Sequence, residues 1–493
     1  MIEMSLAEIA EVTGGRLHRT DGSERVTASV EFDSRELRAG GLFVALPGER
    51  VDGHTFAAKA VADGAAGVLA GREVDAPAVI APPVHGADGG TSNAMALAGD
   101  TDGSGAAVLA ALAKLARHVV DRLTEDGLFV VGVTGSSGKT STKDLIAQLL
   151  EPLGPTVAPP GSFNNELGHP WTALRADAST RHLVLELSAR GPGHIAELAR
   201  VAPPTIGAVL NVGSAHVGEF GSREGIAKTK CELVEALPSG GVAILNADDP
   251  LVAAMASRTS ARVVFVGESP EATVRAENVR LDDQARASFR LVTPQGSADV
   301  TLSLYGEHHV GNALTAAAIA LEAGTDVEDV ARRLSSAQRR SARRMEVTTR
   351  EDGVTVLNDS YNANPESMKA ALKTLASMAR SGGRRSWAVL SEMGELGTDS
   401  VSAHDEIGRL AVRLNISRLV VVGDAAAPMH TGASHEGSWG EESVLVPDTD
   451  AAVALLRDEL RPDDVVLVKA SKVAEMWRVA DALLEGTELE GTE

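Results

Sequence analysis

A chain of 493 residues exceeds what one hydrophobic core can organise, since single cores stop growing at ~250–300 residues, so two or three domains are expected. Its 44% hydrophobic and 23% charged content excludes a largely disordered or fibrous chain. A formal charge of −22 repels phosphate backbones and anionic membrane surfaces, so nucleic acid is not an expected partner, and an anionic substrate must be captured by a local basic or amide-lined pocket.

The opening Met1-Ile2-Glu3-Met4 carries neither the basic segment nor the apolar stretch of a secretion signal, and the single Cys231 cannot form an internal disulfide. No run approaches the ~20 apolar residues that span a bilayer, so a cytoplasmic chain without membrane insertion is expected. Residues 26–32 and 42–46 read as strands and 56–63 as a helix before the Gly64-Ala65-Ala66-Gly67 turn, giving a small α/β domain over 1–84. Residues 85–105 are dense in Gly, Ser, Thr, Asp and Asn and read as a flexible insertion.

Helical spacing over 106–122 is followed by an apolar, β-branched run at 128–133 that ends in a glycine-rich loop. Further apolar runs at 183–187, 206–212 and 242–246 alternate with helices, the pattern of a parallel sheet, and define a central domain over 106–337. A polar stretch at 267–305 reads as an antiparallel addition, 312–323 as an Ala-rich helix, and the basic segment 332–344 as a boundary. Apolar strands at 354–359, 387–390, 419–422 and 465–468 then alternate with helices, so 338–493 is another α/β unit.

The richest chemical signal is the run from Gly132 to Ser141, GVTGSSGKTS, lying after the 128–133 strand and before a helix over 142–150. Glycines let backbone N–H groups converge on phosphate oxygens and the helix start adds its positive dipole end. Lys139 supplies charge, and the Thr140 hydroxyl can ligate Mg²⁺. The standard phosphate-loop spacing is incomplete, because Val133 stands five residues before Gly138, with Gly132 and Gly135 on either side. Phosphoryl transfer also needs metal ligands near such a loop. Glu186 and His216 both follow apolar strands, where α/β sheets gather ligands. Taken alone, Glu186 reads equally as a solvated carboxylate and His216 as a structural histidine. Lys230, in a helical segment, reads as surface charge. The NNELGHP run at 164–170 and the NDSYNANP run at 358–365 concentrate amides and hydroxyls before helix starts, suited to capping or to holding a polar ligand.

Together these strings resemble the Mur ligase family over nearly the whole chain. TGSSGKTS is similar to its ATP loop, NNELGHP to its substrate loop, NVGSAHVGEFGS to its metal-histidine segment and GEHHVGNALTAAAIA to its adenine-contacting helix start. Asp33-Ser34-Arg35 with GGLFVALPGERVDGHTFA, DSYNANPESMKAAL and SEMGELG resemble the member that adds D-alanyl-D-alanine to a UDP-linked tripeptide. The fold implied is α/β with three domains: a small N-terminal α/β substrate domain, a central P-loop-type parallel-sheet ATPase domain and a C-terminal Rossmann-like domain.

The resemblance implies an ATP-dependent amide-bond-forming ligase acting as a monomer with ATP and Mg²⁺. Its substrates would be UDP-N-acetylmuramoyl-tripeptide and D-alanyl-D-alanine. Thr134, Gly135, Ser136, Ser137, Gly138, Lys139, Thr140, Asn312, Arg344 and Asp359 would bind ATP. Ser34, Arg35, Asn164, Asn165, Tyr361, Asn362 and Asn364 would bind substrate. Thr140, Glu186, His216 and a carbamylated Lys230 would hold metal, and Lys139, His216 and Lys230 would be catalytic. The family's C-terminal Lys-Gly-Ser-Arg stands here as Lys469-Ala470-Ser471-Lys472, and the 85–105 insertion is atypical. A sister ligase adding one amino acid, or an ATP-driven switch protein, are the alternative readings.

Overall fold

The computed structural model describes residues 1–48, 51–84, 99–159, 161–213, 217–437 and 440–485. Three larger sheets carry the fold among the described residues. The first, N-terminal sheet runs Arg16–His18, Ala78–Ile80, Gly67–Ala70, Leu42–Val44, Val30–Glu31, parallel except for its first strand. The expected single strand over 26–32 is two: Arg25–Val26 pairs with Met4–Ser5, whereas Val30–Glu31 pairs with Leu42–Val44. Between them the amides of Thr27 and Ala28 turn to the Gly40 carbonyl, so the chain crosses from one ribbon to the other.

The helix Ser104–Glu125 begins two residues before the expected start, and Ser104 and Gly105 are buried in its first turn rather than belonging to a loop. Its apolar face joins Leu6, Ile9 and Leu69 of the N-terminal unit to Leu183 and Leu185 of the central sheet in one continuous cluster. Most of the expected insertion, 85–98, lies outside the described residues.

The second, central sheet has the order Gly296–Tyr305, Arg286–Thr293, Val274–Leu281, Arg262–Gly267, Val242–Asn246, Ile206–Val209, Phe129–Thr134, His182–Glu186, Thr156–Val157. The last seven of these strands are parallel, and the first two add antiparallel to Val274–Leu281, as the polar stretch predicts. From Phe129–Thr134 the chain fills one side of the sheet, then returns to lay Ile206–Val209 on the other, which makes a topological switch point at the carboxyl end of Phe129–Thr134. The helices Lys139–Leu150 and His309–Glu322 cover one face, burying Leu145, Leu149, Leu314 and Ile319 against Val131 and Val184.

The third, C-terminal sheet runs Glu346–Thr349, Thr355–Asn358, Val465–Lys469, Ser386–Leu390, Arg418–Val422, Ser443–Val446, parallel apart from its first strand. No described helix is long and apolar enough to cross a membrane.

Leu115 is fully buried in the cluster that joins the first two units. Leu115→Ala should lower stability by ~2–5 kcal/mol, read as an earlier urea transition, because the surrounding helices can only partly close the cavity.

Candidate active site

The switch point gathers its polar groups from three adjacent strand ends. Gly135 to Gly138 follow Phe129–Thr134, Glu186 closes His182–Glu186, and Asn211 follows Ile206–Val209. Gly138 has φ +83°, and a Cβ there would stand 2.7 Å from Asn312 Oδ1, so the loop requires glycine at that position. Asn312 thus faces the end of the loop, with its amide 3.3 Å from His309 Nδ1. Asn211 braces the loop: its carbonyl accepts from Ser136 N at 3.1 Å and its Oδ1 from Ser137 N at 3.0 Å. Ser136 Oγ accepts from Gly213 N at 2.9 Å, and Thr134 Oγ1 donates to Leu187 O at 2.9 Å. The amides that open the helix Lys139–Leu150 have no intrahelical carbonyl to meet, which leaves an anion-binding helix start in front of the loop.

Glu186 is 0% exposed. One carboxylate oxygen accepts from Ser162 Oγ at 3.2 Å, Thr140 Oγ1 at 3.3 Å and Asn164 Nδ2 at 3.4 Å. The other is buried without a hydrogen-bond partner. A buried carboxylate oxygen with no donor is costly unless a cation meets it, and with the Thr140 hydroxyl it forms an oxygen donor set that suits Mg²⁺. Among the described residues no group of three or more His, Cys, Asp or Glu side chains is placed to hold a metal ion.

Two lysines share this interior. Lys139 donates to Gly135 O at 2.6 Å; burial lowers its pKa, the Glu186 carboxylate opposes that and the Arg344 guanidinium adds to it. Lys230 sits in the helix Arg223–Glu235, is buried, and is pushed well below the ordinary lysine range by desolvation and then by Lys139. It is therefore not the surface charge its helix suggests. Glu232, two residues on, accepts from Gly193 N at 2.7 Å and Ala196 N at 3.1 Å at the start of the helix His194–Val201. His216 lies outside the described residues.

The C-terminal unit reaches the same loop. Asn364 caps the helix Pro365–Gly382 by accepting from Ser367 N at 2.9 Å, and its Nδ2 donates to Ser136 O at 3.2 Å. Arg344 lies over the Tyr361 ring at 4.2 Å, between Arg343 at φ 58° and Met345 at φ 48°, two left-handed residues that glycine would normally occupy. Asp359 accepts from Met345 N at 3.0 Å and Lys469 Nζ at 2.6 Å, and Lys469 also donates to Asn362 O at 2.9 Å. A cavity of ≈ 240 Å³ opens between the units, walled by Leu145, Tyr305, His309, Ser341, Arg344 and Met345.

The expected substrate residues divide. Asn164 reaches Glu186, whereas Asn165 Oδ1 accepts from Gly168 N at 2.9 Å at the start of the helix Gly168–Ala173. Ser34 and Arg35 belong to the N-terminal unit, where the exposed Arg35 guanidinium pairs with Asp33 at 2.6 Å and holds that carboxyl down to about 2. That unit touches the substrate loop through Trp171 Nε1, which donates to Glu31 Oε2 at 3.1 Å. Asn211, Ser162 and the pair Lys143–Asp144 are parts of the site that sequence reading does not single out. A polar residue at a strand's carboxyl end is the signal that Asn211 offered.

Known proteins with this architecture bear on what it does. The Mur ligase middle domain model matches residues 133–320, the Mur ligase glutamate ligase domain 343–472, and the Mur ligase family catalytic domain 27–117. The chain belongs to the Mur ligase family. Within that family, it is 57% identical to the UDP-N-acetylmuramoyl-tripeptide--D-alanyl-D-alanine ligase of Mycobacterium bovis, over 98% of both chains. The Escherichia coli ligase of the same description is 32% identical over 98% of this chain and 99% of its own. The structure of MurF from Acinetobacter baumannii superposes with a TM-score of 0.83 at 30% identity, covering 98% of this chain and 99% of that one. MurF ligase from Thermotoga maritima in complex with ADP superposes at 0.75 and 28% identity, covering 93% and 97%.

His309, 4% exposed and lining the cavity, has its pKa pushed well below the ordinary histidine range, first by desolvation and then by His308. Because the folded value lies below the unfolded one, this contribution to stability is full above about 6.5 and is lost as pH drops below it. Urea denaturation as pH falls below that value should show the loss, and His309→Gln should reduce its slope.

Proposed function

We propose that this Mur ligase joins D-alanyl-D-alanine to the terminal carboxylate of UDP-N-acetylmuramoyl-tripeptide, converting ATP to ADP and phosphate, in peptidoglycan precursor synthesis. The observation that carries the chemistry is Glu186, a buried carboxylate with one oxygen engaged by Thr140 and the other open beside the phosphate loop. The choice of substrates rests on the full-length relatives that bear that description.

In this reading the glycine-rich loop from Thr134 to Gly138, Lys139 and Thr140 cradle the ATP phosphates. Asn312, Arg344 and Asp359 bound the nucleotide, and the ≈ 240 Å³ cavity, which Arg344 lines together with Leu145, Leu304, Tyr305 and Met345, offers both apolar surface and polar groups to a purine. Ser34 and Arg35 take the UDP-linked end of the peptide substrate. Asn164, Asn165, Tyr361, Asn362 and Asn364 line its path or that of the dipeptide. Thr140 and Glu186 would hold Mg²⁺, with His216 and Lys230 as further ligands; the bound ion supplies charge neutralisation for the transferring phosphoryl group. The depressed pKa of Lys230 favours its neutral amine, the form that reacts with carbon dioxide to give a carbamate. The working boundaries are 1–84 for the UDP-substrate domain, 106–337 for the ATP domain and 338–493 for the C-terminal domain.

A carboxylate is a poor electrophile because expelling oxide is prohibitive. The peptide carboxylate oxygen therefore attacks the γ-phosphorus, the bond to the ADP oxygen breaks, and an acyl phosphate forms. Lys139 and the helix-start amides stabilise the charge that develops on the phosphoryl oxygens. The dipeptide amine, as its free base, attacks the acyl carbon, the carbon–oxygen bond to phosphate breaks, the amine's surplus proton leaves with the released phosphate, and an amide results. Holding both partners in line removes most of the entropic barrier. Each proposed role is filled from one chain, which favours a monomer, and ATP consumption makes the cytoplasm the compartment this reading requires.

Phosphate release should require ATP, Mg²⁺, the UDP-linked tripeptide and D-alanyl-D-alanine together, with a product heavier than the tripeptide substrate by the dipeptide less water. Lys139→Ala should fold and lose this activity. Release independent of both acceptors would favour an ATP-driven switch, release with a single amino acid would favour a sister ligase, and a fully active Lys139→Ala would remove that residue's role.

A further inference from the structure

The groups assigned to ATP and to substrate meet at a buried ion pair that none of those roles uses. Lys143 and Asp144 stand together in the second turn of the helix Lys139–Leu150, the helix that opens with Lys139 and Thr140. Lys143 is 1% exposed, where lysines are almost never fully buried unless paired. Its ammonium directs three donors: to Pro159 O at 2.6 Å, to Gly161 O at 3.3 Å and to Asp144 Oδ1 at 2.6 Å. The other Asp144 oxygen accepts from Ser341 N at 3.1 Å and Ser341 Oγ at 2.6 Å.

The two ends of this chain of contacts lead to different ligands. Gly161 precedes Ser162, which with Asn164 donates to the Glu186 carboxylate, and the same segment continues into the NNELGHP run. Ser341 lies three residues before Arg344, and Asp144, Ser341 and Arg344 all line the ≈ 240 Å³ cavity between the units. Well-packed apolar residues would serve stability as well as a buried ion pair, so stability alone does not account for one here. A pair that holds the Pro159 and Gly161 carbonyls at one end and the Ser341 amide and hydroxyl at the other fixes where those two segments sit.

We infer that Lys143 and Asp144 are positioning residues that couple occupancy of the nucleotide cavity to the placement of the substrate loop. A nucleotide held against the Ser341 and Arg344 side restrains the linker between the central and C-terminal units, residues 341–344. The linker amide and hydroxyl orient Asp144, Asp144 orients Lys143, and Lys143 fixes the Pro159 and Gly161 carbonyls. Ser162 and Asn164 are then held on Glu186. Because binding free energies are reciprocal, a substrate that orders the loop must in turn tighten nucleotide binding. This inference rests on the ligand assignment proposed above.

The test is calorimetric: the Kd of UDP-N-acetylmuramoyl-tripeptide for the full chain, with and without saturating ADP and Mg²⁺. The wild type should bind at least about fivefold more tightly with nucleotide present. Lys143→Met and Ser341→Ala should lose most of that factor while keeping their affinity without nucleotide, and Ser341→Thr, which retains the hydroxyl, should keep it. Should Lys143→Met not fold, Ser341→Ala decides, since it removes a single hydroxyl. Wild-type coupling that survives in Ser341→Ala, or an affinity loss in that variant that is the same with and without nucleotide, overturns this inference alone. A wild type that binds neither ligand overturns the functional reading together with it.

Discussion

The site depends on one electrostatic constraint, the placing of the Glu186 carboxylate at the carboxyl end of a central strand with no access to water. An isolated carboxylate in such surroundings would cost several kcal/mol, so its neighbours are determined by it. Thr140, Ser162 and Asn164 all donate to one oxygen, and the lysines 139 and 230 lie close enough to feel each other's charge. Burial lowers the pKa of both lysines, most strongly that of Lys230, while the Glu186 carboxylate opposes the shift at Lys139. In the proposed reading a divalent cation at the unpartnered Glu186 oxygen would add the positive charge, an arrangement that suits phosphoryl transfer better than a simple structural ion pair.

The N-terminal and central units share one apolar cluster, and specific polar ties link all three. Glu31 accepts from Trp171 between the N-terminal unit and the substrate loop, Ser341 donates to Asp144, and Asn364 donates to the carbonyl of Ser136 in the phosphate loop. Each tie ends on a residue adjacent to a proposed ligand group. A ligase of this kind must hold a nucleotide, a peptide carboxylate and an amine in line, and closure of separate binding units is the physical means of raising their effective concentration. The left-handed conformations of Arg343 and Met345 show the backbone strained at the segment that brings Arg344 into place.

The phosphate loop was legible in sequence because its chemistry is local: strand, glycines, lysine and helix start are contiguous. The alternation of strands and helices, and the antiparallel addition now seen as Val274–Leu281, Arg286–Thr293 and Gly296–Tyr305, followed from residue patterns of the same kind. Residues whose role depends on distant partners were not legible. Lys143 reads as one more helical lysine until Pro159 and Gly161 are folded over it, and Asn211 acquires its part only where Ile206–Val209 is laid beside Phe129–Thr134. Lys230 misled for the same reason, since a weakly amphipathic helix gives no sign of which lysine turns inward. The 26–32 segment misled because its apolar residues serve two different sheets.

The most direct test of the central role given to Glu186 is a titration of ADP into the full chain, with and without Mg²⁺, for the wild type and for Glu186→Gln. Glutamine keeps the shape and removes the charge, so the variant should fold at least as stably. In the wild type Mg²⁺ should tighten ADP binding, and in Glu186→Gln that increment should vanish while metal-free binding persists. A Glu186→Gln protein whose ADP affinity still rises with Mg²⁺ as in the wild type would contradict the role of this carboxylate as the organising metal ligand.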